Sequence, residues 1–311
     1  MRRIIVLGMG NIGRRHLESL SSSNSPFELH AYDPLNNEEN LSFIAKRENQ
    51  PNQIIYHSNL DQVNKYFDLA ISSTTADNRF LSSEAICKKS KVANWLFEKP
   101  LSQSIEDLDG IKNITKISES SWVNINRRSM HWYKQIKKKL QGKGPFKITV
   151  GDNNWGLACN SSHFLNLSEW FTGEEIVEFD TSNLHHEWIS SKRKGFFEVL
   201  GEIKVSLSQG SSLYLKNDGG KKFLISIDGS FGNCTIDEDA GLAYFPSQTL
   251  EGKYNLQSEL TDYQISEIFE NPFPNLASFE ECYYQHKKLL LSLLTHWNNC
   301  NNSKDTVLPI T

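Results

Sequence analysis

The chain lacks the cysteine patterns that indicate a disulfide framework or a structural zinc site. Its five cysteines are scattered, odd in number and never spaced as Cys-x-x-Cys. We therefore expect a reducing, cytoplasmic environment. His185 and His186 are adjacent, but alternation along a strand would place them on opposite faces, so we predict no metal site there.

Long apolar runs and an excess of positive charge are also missing. No stretch approaches the roughly 20 residues that a membrane-spanning helix needs, and the apolar run near Met1 is too short for a signal peptide. The formal net charge is −4, so no global basic field points to a nucleic-acid partner. The length of 311 residues suits two domains, which we predict at residues 1–124 and 125–311.

A glycine pattern at the start of the chain indicates a dinucleotide-binding turn. An apolar run at residues 4–7 leads into Gly-x-Gly-x-x-Gly and then a helical pattern. The first glycine would make the turn, the second would let a pyrophosphate approach, and the third would let the helix pack close to the strand. The N–H groups of the helix start would hold the diphosphate. The residues predicted to bind it are Gly8, Gly10, Asn11, Ile12 and Gly13.

Asp33 stands where such a fold places an acidic residue. It ends a second apolar run, residues 27–32, about twenty residues past the last glycine. A carboxylate there would bind the adenosine ribose hydroxyls and repel a 2′-phosphate, which favours NAD. Arg14 and Arg15 keep NADP as an alternative. Without a ligand, the same pattern would be only a glycine-rich turn followed by a solvated Asp33.

The first half alternates strands with helical patterns, which predicts a doubly wound parallel sheet of the Rossmann type. Ligands of such sheets lie beyond the carboxyl ends of the strands, where Thr74, Thr75, Glu98 and Asn126 are placed. Thr74 and Thr75 are either contacts of the nicotinamide ribose or ordinary turn residues. The strands are predicted at residues 4–7, 27–32, 53–56, 68–75, 92–97 and 122–125.

The second half is rich in strands joined by Gly, Asn, Asp and Ser, which suits hairpins. We predict an α+β domain with a large open, mostly antiparallel sheet, covered on one face by helices. The other face is expected to pair with further copies, giving a homodimer or homotetramer. The strands are predicted at residues 146–155, 176–180, 186–190, 195–207, 212–216, 222–228 and 233–237.

Three further segments carry a prediction. Residues 254–274 are polar and contain proline, which predicts a long excursion over the surface. Residues 279–298 have a strong helical pattern. Basic residues recur from Arg127 to Lys147. They indicate either a solvated helix face or a surface that attracts an anionic substrate.

In residues 97–100, Phe-Glu-Lys-Pro, the last three residues follow the fifth predicted strand. This motif resembles the glucose–fructose oxidoreductase/inositol dehydrogenase family, as do the opening Gly-Met-Gly-Asn-Ile-Gly-Arg-Arg-His, residues 68–75, residues 126–128 and the region of His163. The resemblance covers most of the chain and is more specific in its first half.

The resemblance implies an active site around Lys99 and His163. Pro100 would stiffen the corner, Glu98 would fix the turn or contact the cofactor ribose, and Lys99 would serve as acid or base. His163 would begin a helix. The family has an Asp four residues before this His, and Cys159 stands there in this chain.

The expected activity is that of an NAD-dependent oxidoreductase. It would transfer a hydride between the cofactor and a secondary alcohol of a sugar, sugar derivative or cyclitol, held by Asn126, Trp155 and Asn160. One alternative is a dinucleotide-binding sensor or assembly protein without turnover, which Cys159 favours. Another is a lyase or glycosidase that uses NAD transiently, with no net redox change.

Overall fold

The computed structural model describes residues 1–35, 37–151 and 153–311, with the backbone alone at residues 257 and 258. The chain divides into two units. The first comprises Met1–Ser102, Glu106–Asn124 and Leu256–Glu280. The second comprises Gln103–Ile105, Ile125–Asn255 and Glu281–Thr311.

The elements follow in chain order. The first stretch contains β1 (Arg2–Leu7), α1 (Asn11–Ser21), β2 (Phe27–Tyr32), α2 (Glu38–Ala45), β3 (Ile54–His57), β4 (Tyr66–Ser72), α3 (Arg79–Cys87), β5 (Lys91–Phe97), α4 (Ile105–Thr115) and β6 (Ser120–Val123). A 3₁₀ turn (Asn126–Ser129) precedes α5 (His131–Leu140), β7 (Lys147–Gly151), α6 (Leu157–Thr172), β8 (Ile176–Ser190), β9 (Phe197–Leu207) and β10 (Ser212–Asn217). The rest comprises β11 (Leu224–Gly229), β12 (Gly232–Asp237), β13 (Leu242–Phe245), β14 (Gln248–Glu251), a 3₁₀ turn (Gln257–Leu260), α7 (Thr261–Glu270), β15 (Ala277–Ser278) and α8 (Phe279–Asn301).

The first unit is built on a seven-stranded sheet of order β15-β6-β5-β4-β1-β2-β3. Its pairs are parallel except for β15 with β6. The apolar residues 4–7 of β1 are fully buried, so both faces of the sheet are covered at this strand. Strand order reverses at β1, which pairs with β2 on one side and β4 on the other. Such a reversal is where this fold binds ligands.

The second unit contains an eight-stranded sheet of order β14-β13-β12-β11-β7-β10-β9-β8. Its pairs are antiparallel except for β7 with β10. Alternate residues such as Ile203, Leu213 and Ile148 are buried on one face. The strand registers align a row on the opposite face, called here the polar row: Lys204, Tyr214, Thr149, Ser226, Thr235 and Tyr244. The fold class predicted from the sequence is confirmed.

The prediction of a surface excursion at residues 254–274 is wrong. This segment forms a 3₁₀ turn and α7, and both pack against α1. Ile265 of this segment lies in the same buried core cluster as Leu17 of α1. The sequence pattern misled because α7 has only a narrow apolar side, and its polar residues Thr261 and Gln264 are buried and bond to His16 and Asn124.

Two predicted strands, residues 176–180 and 186–190, are one strand, β8. Three register shifts against β9 let this long strand continue while its side chains change face, which breaks the simple alternation. The prediction also omitted β13 and β14, which are four residues each. Among the helices of the described ranges, none is long and apolar enough to cross a membrane.

Candidate functional site

The glycine motif forms a tight corner between β1 and α1. Gly8 has φ +91°, and its N–H donates to the Tyr32 carbonyl (2.8 Å). A Cβ on Gly13 would lie 1.9 Å from the Gly8 carbonyl oxygen. Helix α1 can therefore pack this close to the end of β1 only because residue 13 has no side chain. A Cβ on Gly10 would meet no heavy atom of the described residues within 4 Å. The corner therefore leaves space over Gly10, and Gly10 contributes no capping side chain to the first N–H groups of α1.

Asp33 fastens the end of β2 to this corner. The Met9 N–H donates to Asp33 Oδ2 (2.7 Å), and the Leu35 N–H donates to Asp33 Oδ1 (2.8 Å). The residue is 9% exposed. Each carboxylate oxygen can accept a further bond, so Asp33 retains acceptor capacity for a ribose hydroxyl.

Arg14, in the first turn of α1, is held by α2. Its guanidinium forms an ion pair with Glu39 and donates to Asn40 Oδ1 (2.8 Å). Asn40 is buried and donates in turn to the Leu35 carbonyl (2.8 Å). The charge of Arg14 is therefore balanced within the unit, next to the loop that carries Asp33.

Thr74 and Thr75 follow β4, beside the glycine corner. Thr74 Cγ2 lies 3.0 Å from the position that a Cβ of Gly8 would take. Thr74 Oγ1 lies 3.2 Å from Ser82 Oγ, and Asn78 Nδ2 lies 3.4 Å from Thr75 Oγ1. The structure thus brings Thr74 together with the predicted diphosphate corner.

Glu98 is held by a buried network. His16 Nε2 donates to Glu98 Oε1 (2.9 Å), and Asn124 Nδ2 donates to the same oxygen (2.6 Å). His16 Nδ1 lies 2.8 Å from Thr261 Oγ1, and Gln264 donates to Asn124 Oδ1 (2.8 Å). All five residues are at most 4% exposed. Burial by itself raises the pKa of Glu98, but the bonds from His16 and Asn124 and the charges of His16 and Arg79 outweigh it and lower that pKa.

Lys99 follows directly and is half-buried. Its peptide bond to Pro100 is cis. The Glu98 N–H donates to the Ser72 carbonyl (3.0 Å), which continues the β4–β5 ladder to the corner. The corner Glu98–Lys99–Pro100 is thus held by backbone on one side and by the His16 network on the other.

The sequence interpretation missed Arg79. This first residue of α3 is 2% exposed, and its guanidinium donates to the carbonyls of Thr74 and Pro100. Burial lowers its pKa to about 10, with Glu98 acting against that shift. No sequence signal could have found it, because an Arg in an amphipathic helix is usually solvated and nothing local in the chain shows that this one is buried.

In the second unit, α6 begins earlier than predicted. His163 does not begin the helix, which starts at Leu157 after Gly156 at φ +78°. Glu198 of β9 caps it, because its carboxylate accepts from the N–H groups of Ala158 (2.7 Å) and Cys159 (3.3 Å). The sequence could not indicate this cap, which comes from a distant strand.

His163 therefore lies inside α6. It is 7% exposed, with its ring centroid 6.5 Å from that of Phe164. Trp155 contacts the same Phe164 edge-to-face, with centroids 5.1 Å apart. Trp155 Nε1 donates to the Lys216 carbonyl (2.6 Å), and Asn160 Nδ2 donates to the Trp155 carbonyl (2.7 Å). Three of the predicted residues, Trp155, Asn160 and His163, are thus brought together around the first turns of α6.

Asn126 lies in the 3₁₀ turn that packs against α6. It is fully buried, and its amide donates to Tyr254 Oη (3.2 Å) and the Asn255 carbonyl (3.0 Å). Neither interpretation of the basic run holds for Arg127. This side chain is buried and forms a bidentate ion pair with Glu238 (2.8 Å for both bonds), because its planar guanidinium matches a carboxylate.

The predicted site residues are divided between the two units. The dinucleotide residues and Lys99 belong to the first, and Asn126, Trp155, Asn160 and His163 belong to the second. Within the described ranges, no group of three or more His, Cys, Asp or Glu side chains is arranged to hold a metal ion.

Comparison with known proteins shows similarity in fold. No protein-family model matches the sequence, and neither does any curated protein. Among solved structures, UDP-N-acetylglucosamine 3-dehydrogenase from Acidithiobacillus ferrooxidans is 13% identical, with a TM-score of 0.72 over 95% of this chain and 96% of that chain. A myo-inositol dehydrogenase from Lactobacillus casei, solved with NAD(H) and myo-inositol, is 14% identical, with a TM-score of 0.67 over 99% of this chain and 96% of that one.

A probable dehydrogenase from Thermotoga maritima is 18% identical, with a TM-score of 0.65 over 94% of this chain and 95% of its own. The chain therefore has the fold of inositol and sugar-nucleotide dehydrogenases along nearly its whole length. The fold implied by the sequence resemblance is confirmed.

Proposed function

We propose that the protein is an NAD-dependent oxidoreductase acting on a secondary alcohol of a sugar, sugar derivative or cyclitol. The observation that carries the proposal is that one unit holds both a glycine corner with space over Gly10 and the half-buried Lys99, on a corner fixed by Glu98. The fold shared with sugar and cyclitol dehydrogenases supports it independently.

The residues of the glycine corner fit a dinucleotide. The N–H groups of Asn11, Ile12 and Gly13 at the start of α1 would hold the diphosphate, and Asp33 would accept from the adenosine ribose. Thr74 and Thr75 would border the nicotinamide ribose. Glu98 is committed to His16 and Asn124, so we assign it to fixing the corner rather than to binding ribose.

The charge of Arg14 bears on the choice between NAD and NADP. A 2′-phosphate would need a cation near Asp33, yet Arg14 is paired with Glu39 and bonded to Asn40. Recruiting it would break both contacts and leave Glu39 facing the phosphate. We therefore propose NAD as the cofactor.

The protein's own chemistry would be proton transfer. Bound nicotinamide supplies the hydride acceptor or donor. Lys99 would take the proton from the reacting hydroxyl, or return it in the opposite direction. His163 would orient the substrate or relay the proton. Asn126 and Trp155 would serve the substrate by shaping its surroundings, since their side-chain N–H donors are bonded to protein oxygens. Asn160, whose amide nitrogen donates to the Trp155 carbonyl, would contact the substrate.

The direct test is turnover of a panel of sugars, nucleotide sugars and cyclitols, followed by NADH absorbance and by product analysis. Net NADH supports the dehydrogenase, whereas product without NADH supports transient redox chemistry. Tight NAD binding with no product supports a sensor. The sensor is favoured by Cys159, whose N–H is bonded to Glu198 and which brings no carboxylate of its own.

Lys99→Ala provides the first site prediction. We expect turnover to fall by at least about a hundredfold while NAD binding stays within about twofold, because general acid–base catalysis contributes that much and the amine does not hold the diphosphate. The matched control is Lys91→Ala, at an exposed lysine that begins β5, the strand that leads to Lys99. Unchanged turnover in Lys99→Ala would remove Lys99 from its role.

A further inference from the structure

Arg79 joins two parts of the first unit that the proposed chemistry needs at a fixed separation. One guanidinium nitrogen donates to the carbonyl of Thr74 and the other to the carbonyl of Pro100. Thr74 packs directly against Gly8, and Pro100 follows Lys99. The contacts form a continuous path from the glycine corner through Thr74 and Arg79 to the lysine corner.

The chemistry of this bridge requires arginine. A guanidinium presents several N–H groups in a rigid planar fork, so it can serve two carbonyls at once. A lysine ammonium is a single point on a flexible stem. The bridge also carries a cost, because Arg79 is only 2% exposed and a buried cation loses its hydration. The opposite charge of Glu98, on the same corner, offsets part of that loss.

We propose that Arg79 is a positioning residue that sets the place of Lys99 relative to the dinucleotide corner. The inference rests on the proposed function and deepens it. Arg79 acts through the carbonyls of Thr74 and Pro100, and Lys99 remains the group that moves the proton. Without the bridge, the backbone bonds and the His16 network still hold the two corners, but Pro100 loses its direct tie to Thr74, and we expect Lys99 to be placed less tightly.

The test is competitive acetylation of lysines with acetic anhydride, with and without NADH, read for each lysine by mass spectrometry. In the wild-type protein we expect bound NADH to protect Lys99 and to leave the exposed Lys91 and Lys116 unprotected. In Arg79→Met we expect NADH binding to persist and protection of Lys99 to be lost. Arg79→Lys should keep part of the protection, and millimolar guanidinium should restore part of it in Arg79→Ala.

The matched control is Arg47→Met, which removes a guanidinium that lies over Phe43 in the same unit and should leave protection of Lys99 unchanged. The inference is overturned if Lys99 is protected as well in Arg79→Met as in the wild type. It is also overturned if Lys91 and Lys116 change together with Lys99, since that marks general loosening. If Arg79→Met does not fold, Arg79→Lys takes its place, and protection of Lys99 equal to that of the wild type in this variant would overturn the inference.

Failure of the proposed function has a different signature. It would show as a wild-type protein that does not bind NADH, or whose Lys99 is not protected by it. Protection in the wild type that survives every change at Arg79 would overturn the positioning role alone.

Discussion

Gly10 and Gly13 belong to one motif, but the structure separates what each contributes. The fold requires Gly13, because the Cβ of any other residue there would lie 1.9 Å from the Gly8 carbonyl oxygen. Gly10 has negative φ and no neighbour among the described residues within 4 Å of a Cβ, so the unliganded protein does not require it. A requirement for Gly10 would therefore come from a ligand.

Gly10→Ala and Gly13→Ala make this a paired prediction. We expect Gly10→Ala to keep the melting temperature of the wild type and to weaken NADH binding by about tenfold or more, which corresponds to about 1.4 kcal/mol. We expect Gly13→Ala to destabilise the fold by about 1–3 kcal/mol, because backbone must move. Calorimetric titration and thermal unfolding measure the two effects. Wild-type NADH affinity in Gly10→Ala would exclude this corner as the diphosphate site.

At the scale of elements, α6 is completed by a strand that is distant in sequence. Gly156 gives the chain its turn into the helix but offers no side chain, and the buried Glu198 carboxylate caps the first turn instead. This cap fixes the start of the helix that carries His163. It also fills the helix N-terminus, which is therefore closed to an anionic group of the substrate.

Removal of this cap should be costly. In Glu198→Ala we expect the free energy of unfolding to fall by about 1–3 kcal/mol, because the N–H groups of Ala158 and Cys159 lose their acceptor in a buried place. Glu251→Ala, an exposed carboxylate of the same sheet, should change it by less than about 0.5 kcal/mol. Denaturant unfolding measures both. Equal effects would mean that Glu198 does not cap α6.

The strand pair β2–β3 carries two histidines, from which we expect the stability of the first unit to depend on pH. His30 Nδ1 lies 2.9 Å from His57 Nε2, and the rings stack 5.2 Å apart. Burial lowers the pKa of His30, with Glu28 acting in the opposite direction and Arg3 adding to the lowering. Burial and then the charge of His30 lower the pKa of His57. The folded state therefore favours the neutral forms.

Histidines with a lowered folded pKa stabilise the protein fully above the unfolded pKa of about 6.5, and this contribution is lost as the pH falls below it. We expect the melting temperature to drop between about pH 7 and about pH 5.5, and to drop less in His57→Gln, which keeps a hydrogen-bonding group without the charge. His185→Gln, at an exposed histidine of β8, should follow the wild type. If the melting temperature falls equally with pH in all three proteins, His30 and His57 are not the cause of that fall.

At the scale of the whole molecule, the eight-stranded sheet offers a face through which copies of the chain could associate. The eight-stranded sheet has one face of buried apolar side chains and one that carries the polar row. The row is half-exposed or exposed and consists of Lys, Tyr, Thr and Ser side chains. A homodimer or homotetramer formed through this face remains our proposal, with a polar interface rather than an apolar one.

Thr149→Arg combined with Ser226→Arg tests this assembly. The two residues lie opposite each other on β7 and β11, so the double variant places two charges at the centre of the face. We expect light scattering to report a multimer for the wild type and a monomer for the double variant. The variant should still unfold in a cooperative thermal transition, which shows that its monomer is folded. The control Asn301→Arg, at the exposed end of α8, should keep the wild-type mass. An unchanged mass in the double variant would place the interface elsewhere.

The sequence by itself determined the features that are local in the chain. The glycine corner and the boundaries of β2 are set by backbone freedom and by apolar periodicity over a few residues, and both can be recognised without a partner. The start of α6 was predicted wrongly, because Asn160 and Ser161 continue this helix despite their weak helix propensity, which tertiary packing overrides.

Only the tertiary structure decided which side chains hold the candidate site together. His16 meets Glu98 across 82 residues, and Glu198 caps α6 from another strand. Arg79 joins two loops that the sheet brings side by side. These contacts bury charged and polar groups, so each depends on partners that arrive from distant segments when the core closes. A local sequence pattern therefore cannot predict which distant residues these groups will contact.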